Sequence, residues 1–219
     1  MIRTVIFDLD GVVVNSEPVH QRLENRLYLE LGLDIPPDLK KALVGTSSRD
    51  AWKLIIEKYS LDRSPEELIE LGRGRYLEEV RKGKVPLIDG VLDLIQRLRE
   101  NGFRLMMASS ASSRTIREVL KWNHLDAVFR LFIGGDEVSH SKPDPEIFLK
   151  IAERGGVNPI DCLVIEDAAN GVVAARKAGM FCIGFQSHYT GDQDLAFADT
   201  IVTAMDEITI DLIRSIGNS

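Results

Sequence analysis

The first apolar run of the chain, Thr4-Val5-Ile6-Phe7, leads into two aspartates one residue apart, Asp8-Leu9-Asp10-Gly11. Carboxylates at i and i+2 of an extended chain point to the same side. Crowded into a dry cleft they repel, and one stays protonated unless a cation lies between them. Three further pieces have the same character. The run 103–108 ends in Ser109-Ser110, which offers a hydroxyl and backbone N–H groups; the run 162–165 ends in a second acidic pair, Glu166-Asp167; and Lys142 stands in Ser141-Lys142-Pro143-Asp144-Pro145, just before a helical pattern. Each has an ordinary reading by itself. A strand-end Asp is commonly a turn residue, a lone lysine is commonly a solvated charge, and acids suit a helix start. Their joint placement is what argues for chemistry. Ligands of open parallel sheets bind beyond the carboxyl ends of the strands, and there four acids, a hydroxyl and a lysine would meet. A hard dication such as Mg2+ takes a few carboxylate oxygens and keeps its waters, and this set supplies them.

The elements that must position these groups follow from periodicity. From Gly90 onward, short apolar runs alternate with helical patterns. Apolar residues at 91, 94, 95 and 98 form one helical face that ends at Gly102, and 103–108 reads as a strand. A helix with Ile116, Val119 and Leu120 on one face starts from Ser112 or Ser113; Leu131-Phe132-Ile133 is strand-like. Asp144-Pro145 reads as an N-cap with proline at the first helical position, and Gly155-Gly156 stops that helix. Strand 162–165, a helix from Gly171 to Ala178 and strand 181–184 complete the alternation, which implies a parallel sheet with helices on both faces. Between the first strand and this series the chain is helical only: 17–31, 38–43, 48–59 and 65–82. The expected organisation is an α/β core of residues 1–15 and 84–219, interrupted by an all-helical insertion of residues 16–83.

Composition narrows the function classes. The 219 residues carry 34 Asp and Glu against 27 Lys and Arg, a net charge of −7, with 44% hydrophobic and 28% charged residues. Those values exclude disordered, collagen-like and coiled-coil chains. The acidic balance argues against a nucleic-acid partner, which needs clustered cations. No apolar run approaches the ~20 residues of a membrane span, and the N-terminus lacks a signal-peptide layout, so a cytoplasmic, monomeric protein without membrane contact is expected. Cys162 and Cys182 sit in apolar runs without metal spacing and read as buried, reduced thiols. Trp52 and Trp122 read as core, and His124, His140 and His188 as structural.

Taken in order, the motifs resemble the haloacid dehalogenase superfamily of phosphotransferases. These are the strand with Asp8-Leu9-Asp10-Gly11-Val12, then Ser109, then Lys142-Pro143-Asp144-Pro145-Glu146-Ile147-Phe148, then Glu166-Asp167-Ala168-Ala169-Asn170-Gly171. The insertion after the first motif is similar to the cap of the β-phosphoglucomutase and sugar-phosphatase subgroup. The resemblance implies a Rossmann-like core and a phosphoaspartate route. Asp8 is then the nucleophile and Asp10 the general acid and base. Mg2+ is held by Asp8, the Asp10 carbonyl and Asp167, with Glu166 assisting directly or through water. Lys142, Ser109 and the Ser110 N–H neutralise and bind the phosphoryl group. Haloacid dehalogenation is rejected, because such a reaction has no leaving oxygen for Asp10 to protonate.

The resemblance further implies a substrate-selecting role for the insertion, through His20, the loop Gly45, Thr46, Ser47, Ser48 and Arg49, and Arg75. Here the chain departs from the mutase pattern: Val44 stands where the mutase has a lysine, and Ser48 where it has the loop arginine, with Arg49 beside it. The expected activity is Mg2+-dependent hydrolysis of a small phosphate ester, a sugar phosphate being the expected class. The alternative is a sugar-phosphate mutase. A receiver-type phosphoacceptor module ranks third, since it lacks a large insertion and carries its acceptor aspartate on a later strand.

Overall fold

The computed structural model describes residues 1–43, 46–187 and 193–217; the readings for Val44, Gly45 and His188 fall outside it. In chain order the elements are β1 (Thr4–Phe7), α1 (Glu17–Glu30), α2 (Pro37–Leu43), α3 (Ser48–Tyr59), α4 (Pro65–Arg81), α5 (Val91–Glu100) and β2 (Arg104–Ser109). There follow α6 (Ser113–Trp122), β3 (Phe132–Gly134), α7 (Glu146–Gly155), β4 (Cys162–Glu166), α8 (Ala169–Lys177), β5 (Phe181–Phe185), β6 (Thr200–Val202) and α9 (Ile210–Ile216). Two compact units result: residues 1–17 with 85–219, and residues 18–84. The sequence places the boundaries two residues earlier at the first junction and one at the second.

In the first unit the six strands among the described residues are all parallel, in the order β3-β2-β1-β4-β5-β6. This is a Rossmann-like core. Strand β1 is central, with Thr4 in register with Arg104 on one side and Cys162 on the other. Its four residues are all buried, as a strand covered on both faces requires. One face packs Ile6, Met106 and Val164 against Ile147, Phe148 and Ile151 of α7 and Val172 of α8. The chain leaves β1 toward β2 and β3, then returns to β4 on the other side. The direction of winding therefore reverses between β1 and β4, the kind of switch point at which open parallel sheets bind ligands beyond the carboxyl ends of their strands.

The second unit has its own core, in which Leu27, Tyr28, Trp52, Ile55 and Leu68 pack together. Its longest helix begins with a complete capping box: the Glu67 N–H donates to Ser64 Oγ at 3.2 Å, and the Ser64 N–H donates to Glu67 Oε2 at 2.8 Å. No helix among the described residues is long and apolar enough to cross a membrane.

Several expected boundaries shift. Strand β2 runs one residue later than expected, so Ser109 is its last paired residue, in register with Gly134. Pro145 is the cap position of α7, not its first residue, and Asp144 Oδ1 accepts from the Glu146 N–H at 2.9 Å. Trp122 is 45% exposed, not core, because it is the final residue of its helix. Strand β6 and helix α9 are unanticipated. Cys162 and Cys182 are buried free thiols.

Candidate active site

Beyond β1 the ladder continues for one residue, the Asp8 N–H donating to Ile165 O at 3.0 Å. The chain then turns sharply. The N–H groups of Val13 and Val14 both reach Leu9 O, and Gly11 adopts a φ of 76° with its N–H on Val14 O at 2.8 Å. Left-handed backbone of this kind favours glycine. Asp10 lies beyond the end of β1, in an isolated bridge with Val14 that closes this turn. It is within electrostatic reach of both Asp8 and Asp167.

The centre of the site is a buried ion-pair triad. Lys142 Nζ donates to Asp8 Oδ1 and to Glu166 Oε1, both at 2.6 Å, and to Ala108 O at 3.3 Å. The three side chains are 7%, 9% and 2% exposed for Lys142, Asp8 and Glu166 respectively. The lysine also stands 5.1 Å from the Phe148 ring centroid, over its face. The other Glu166 oxygen accepts from the Ala168 N–H at 2.9 Å. Both oxygens of Glu166 are thus engaged within the protein. Ser109 is fully buried, and its Oγ accepts from the Ala111 N–H at 3.1 Å, which leaves the hydroxyl proton to donate elsewhere.

Electrostatics follow from crowding. Burial above all, then Glu166 and Asp10, push the Asp8 carboxyl up from 3.8 to about 7 against the pull of Lys142. Burial, with Glu166 and Asp8 beside it, pushes Asp167 up to about 9. Burial alone would lower Lys142, but its ion pairs with Asp8 and Glu166 more than offset this and raise it. One lysine does not neutralise four acids. Asp8, Asp167 and the Asp10 carbonyl offer oxygen donors only, the chemistry that a Mg2+ ion takes. The metal expectation therefore fits the residues present.

A different cluster, His140, Asp144 and Glu146, has its ligand atoms within 4.8 Å of one another. Its Glu146 carboxylate already accepts from the Ser139 and His140 N–H groups, at 3.0 and 2.8 Å, and pairs with Lys150 at 2.7 Å. It clamps the loop before α7.

The candidate substrate contacts of the helical unit are placed as follows. His20 stacks on Tyr76, with ring centroids 4.3 Å apart. Thr46 Oγ1 donates to Leu43 O at 2.7 Å, Ser47 caps α3 by accepting from the Asp50 N–H, and Ser48 opens that helix. Arg49 forms an exposed ion pair with Glu66. Arg75 Nη2 pairs with Glu30 at 2.5 Å, while its Nη1 is buried without a hydrogen-bond partner among the described residues.

Sequence reasoning gave no role to the Phe148 ring or the Ala108 carbonyl around Lys142. Their signal was present for Phe148 alone, as the apolar residue six positions after the lysine.

Comparison with known proteins places this arrangement among relatives. A family model described as haloacid dehalogenase-like hydrolase matches residues 5–185. The chain is similar to protein CbbY of Rhodobacter capsulatus, 28% identical over 207 residues, covering 90% of this chain and 91% of that one. It is also similar to the phosphorylated carbohydrates phosphatase of Thermotoga maritima, 30% identical over 182 residues and covering 82% of each. Among solved structures, a β-phosphoglucomutase from Clostridium difficile matches with a TM-score of 0.81 at 26% identity, covering 100% of this chain and 98% of the other.

Proposed function

The chain belongs to the haloacid dehalogenase-like hydrolase family, and we propose that it is a phosphatase that cleaves a small phosphorylated carbohydrate through a phosphoaspartate on Asp8. The observation that carries this reading is the Asp8 carboxylate, buried at the sheet's switch point and held 2.6 Å from Lys142. A nucleophile so placed is fixed in orientation, and the lysine neutralises charge as it builds on the equatorial oxygens.

In the proposed reaction, an Asp8 carboxylate oxygen forms a bond to phosphorus as the bond from phosphorus to the ester oxygen breaks. Asp10 gives its proton to that leaving oxygen. In the second half, Asp10 takes a proton from water as the water attacks the same phosphorus and releases Asp8. Ser109 Oγ and the Ser110 N–H bind the phosphoryl oxygens. Enzymes of this family generally use Mg2+. Asp8, Asp167 and the Asp10 carbonyl would hold the ion here, where it supplies positive charge to the phosphoryl oxygens. Glu166 acts on Lys142, since Lys142 and the Ala168 N–H occupy both its oxygens.

The mutase alternative requires cations that grip a second, non-reacting phosphate. The two nominated for that grip are compensated: Arg49 by Glu66 and Arg75 by Glu30. Water is therefore the favoured acceptor. The relative named for phosphorylated carbohydrates supports the substrate class.

The test is phosphate release with Mg2+ across a panel of phosphorylated sugars, sugar alcohols and other metabolites. A hexose 1-phosphate should release inorganic phosphate, with or without its bisphosphate. Formation of the 6-phosphate well above the rate of hydrolysis, dependent on the bisphosphate, would overturn the reading in favour of the mutase.

A further inference from the structure

Gly171 is the third residue of α8 and is buried. It is not among the glycines with positive φ, and its N–H makes an ordinary turn bond to Ala168 O at 3.0 Å. The backbone does not require glycine there, and alanine would favour the helix. Space does require it. A Cβ built at this position lies 1.7 Å from Glu166 Oε1 and 2.0 Å from Glu166 Cδ. A glutamate end can normally swing aside at little cost, but this one is held by Lys142 at 2.6 Å and by the Ala168 N–H at 2.9 Å.

We infer that Gly171 is a positioning residue: its missing side chain is the recess that seats the Glu166 carboxylate, and the seated carboxylate holds the Lys142 ammonium against Asp8. A methyl group in the recess evicts the carboxylate and leaves Lys142 with Asp8 and the Ala108 carbonyl alone. The activity readout of this inference rests on the phosphatase reading; its structural readout does not.

The test is a double-mutant cycle in the full chain, Gly171→Ala against Glu166→Ala. The spectroscopic readout is the 1H–15N correlation of the Lys142 ammonium, assigned by its loss in Lys142→Met and read without substrate. Gly171→Ala should lose or displace this signal, as Glu166→Ala does, and should lower kcat by at least about tenfold. In the Glu166→Ala background there is no carboxylate to evict, so adding Gly171→Ala should change neither the spectrum nor kcat by more than about twofold. Retention of the wild-type Lys142 signal in Gly171→Ala overturns the inference, as do losses that multiply. Should Gly171→Ala not fold, a folded double variant supports the recess, and failure of both overturns it. A wild-type protein that hydrolyses no phosphate ester, yet shows the spectral coupling, sinks the phosphatase reading and leaves this one standing.

Discussion

Lys142 Nζ and Asp8 Oδ1 meet at 2.6 Å although the two residues are 134 positions apart in the sequence, Asp8 following the first strand and Lys142 preceding α7. The pair gives the acidic cluster its cation, and it fixes which oxygen of Asp8 remains for chemistry. Substitutions at either member separate the roles of charge and shape.

Asp8→Asn keeps the size of the side chain and removes the nucleophilic oxygen. Turnover should fall by at least about a thousandfold, consistent with loss of covalent catalysis. Thermal unfolding in EDTA should occur at a higher temperature than in wild type, because one member of a crowded set of acids is gone. Rates above a few per cent of wild type in metal-replete assays contradict the assignment.

Lys142→Met should behave in the opposite way for stability. It leaves Asp8 and Glu166 buried without their cation, and breaking a buried pair in this manner costs about 3–5 kcal/mol. Urea denaturation at neutral pH should show a lower midpoint, and kcat should fall with it. An unchanged midpoint would mean that the triad carries no net stabilisation.

The raised carboxyls predict a pH window. In the unfolded chain an aspartate titrates near 3.8, whereas in the fold Asp8 and Asp167 hold their protons to about 7 and about 9. Between those limits the folded state binds more protons, so stability declines as pH rises. The stabilisation is complete below the unfolded value and gone above the folded ones. Metal-free protein should therefore lose stability from about pH 4 to about pH 9, and Mg2+ should remove most of that slope. Calorimetry across this range, with EDTA or with Mg2+, is the check. A flat profile in EDTA would count against the crowding described for the two aspartates.

Arg49→Ala distinguishes the two acceptors. As a phosphatase whose Arg49 is engaged by Glu66 on an exposed surface, the variant should keep kcat/KM within about twofold of wild type, since exposed pairs contribute little. A drop of tenfold or more, seen chiefly with bisphosphate-dependent transfer, would restore the arginine to a phosphate-gripping role.

Much of this was legible in the sequence. The apolar runs 4–7 and 162–165 are continuous, short and each followed by acids, which reads as buried strands, so both acidic pairs were placed at one edge. What remained hidden was the register of the groups around them. Asp10 is tied back by a bridge to Val14 across the turn at Gly11, and no period-2 argument contains that turn. Glu166 reads from sequence as a metal-side acid; its contact with Lys142 joins the end of β4 to the loop before α7, a pairing between distant positions that no local pattern contains. Strand β6 is three residues long and half-exposed, too short for alternation to register. Trp122 looked like core by residue type, and its place at the end of α6 decided otherwise.

The central position of β1 has a consequence for how this chain comes into being. The strand that ends up in the middle of the sheet is synthesised first, yet its neighbours begin only at Arg104 and Cys162. At about 5–20 residues per second, translation leaves Val5-Ile6-Phe7 unpaired for on the order of ten seconds. The helical unit, built from local contacts, can form within that interval and the sheet cannot. Ribosome-bound chains from which Lys84 has just emerged should show protease-resistant helices and a cleavable strand β1. Chains from which Phe185 has emerged should protect both.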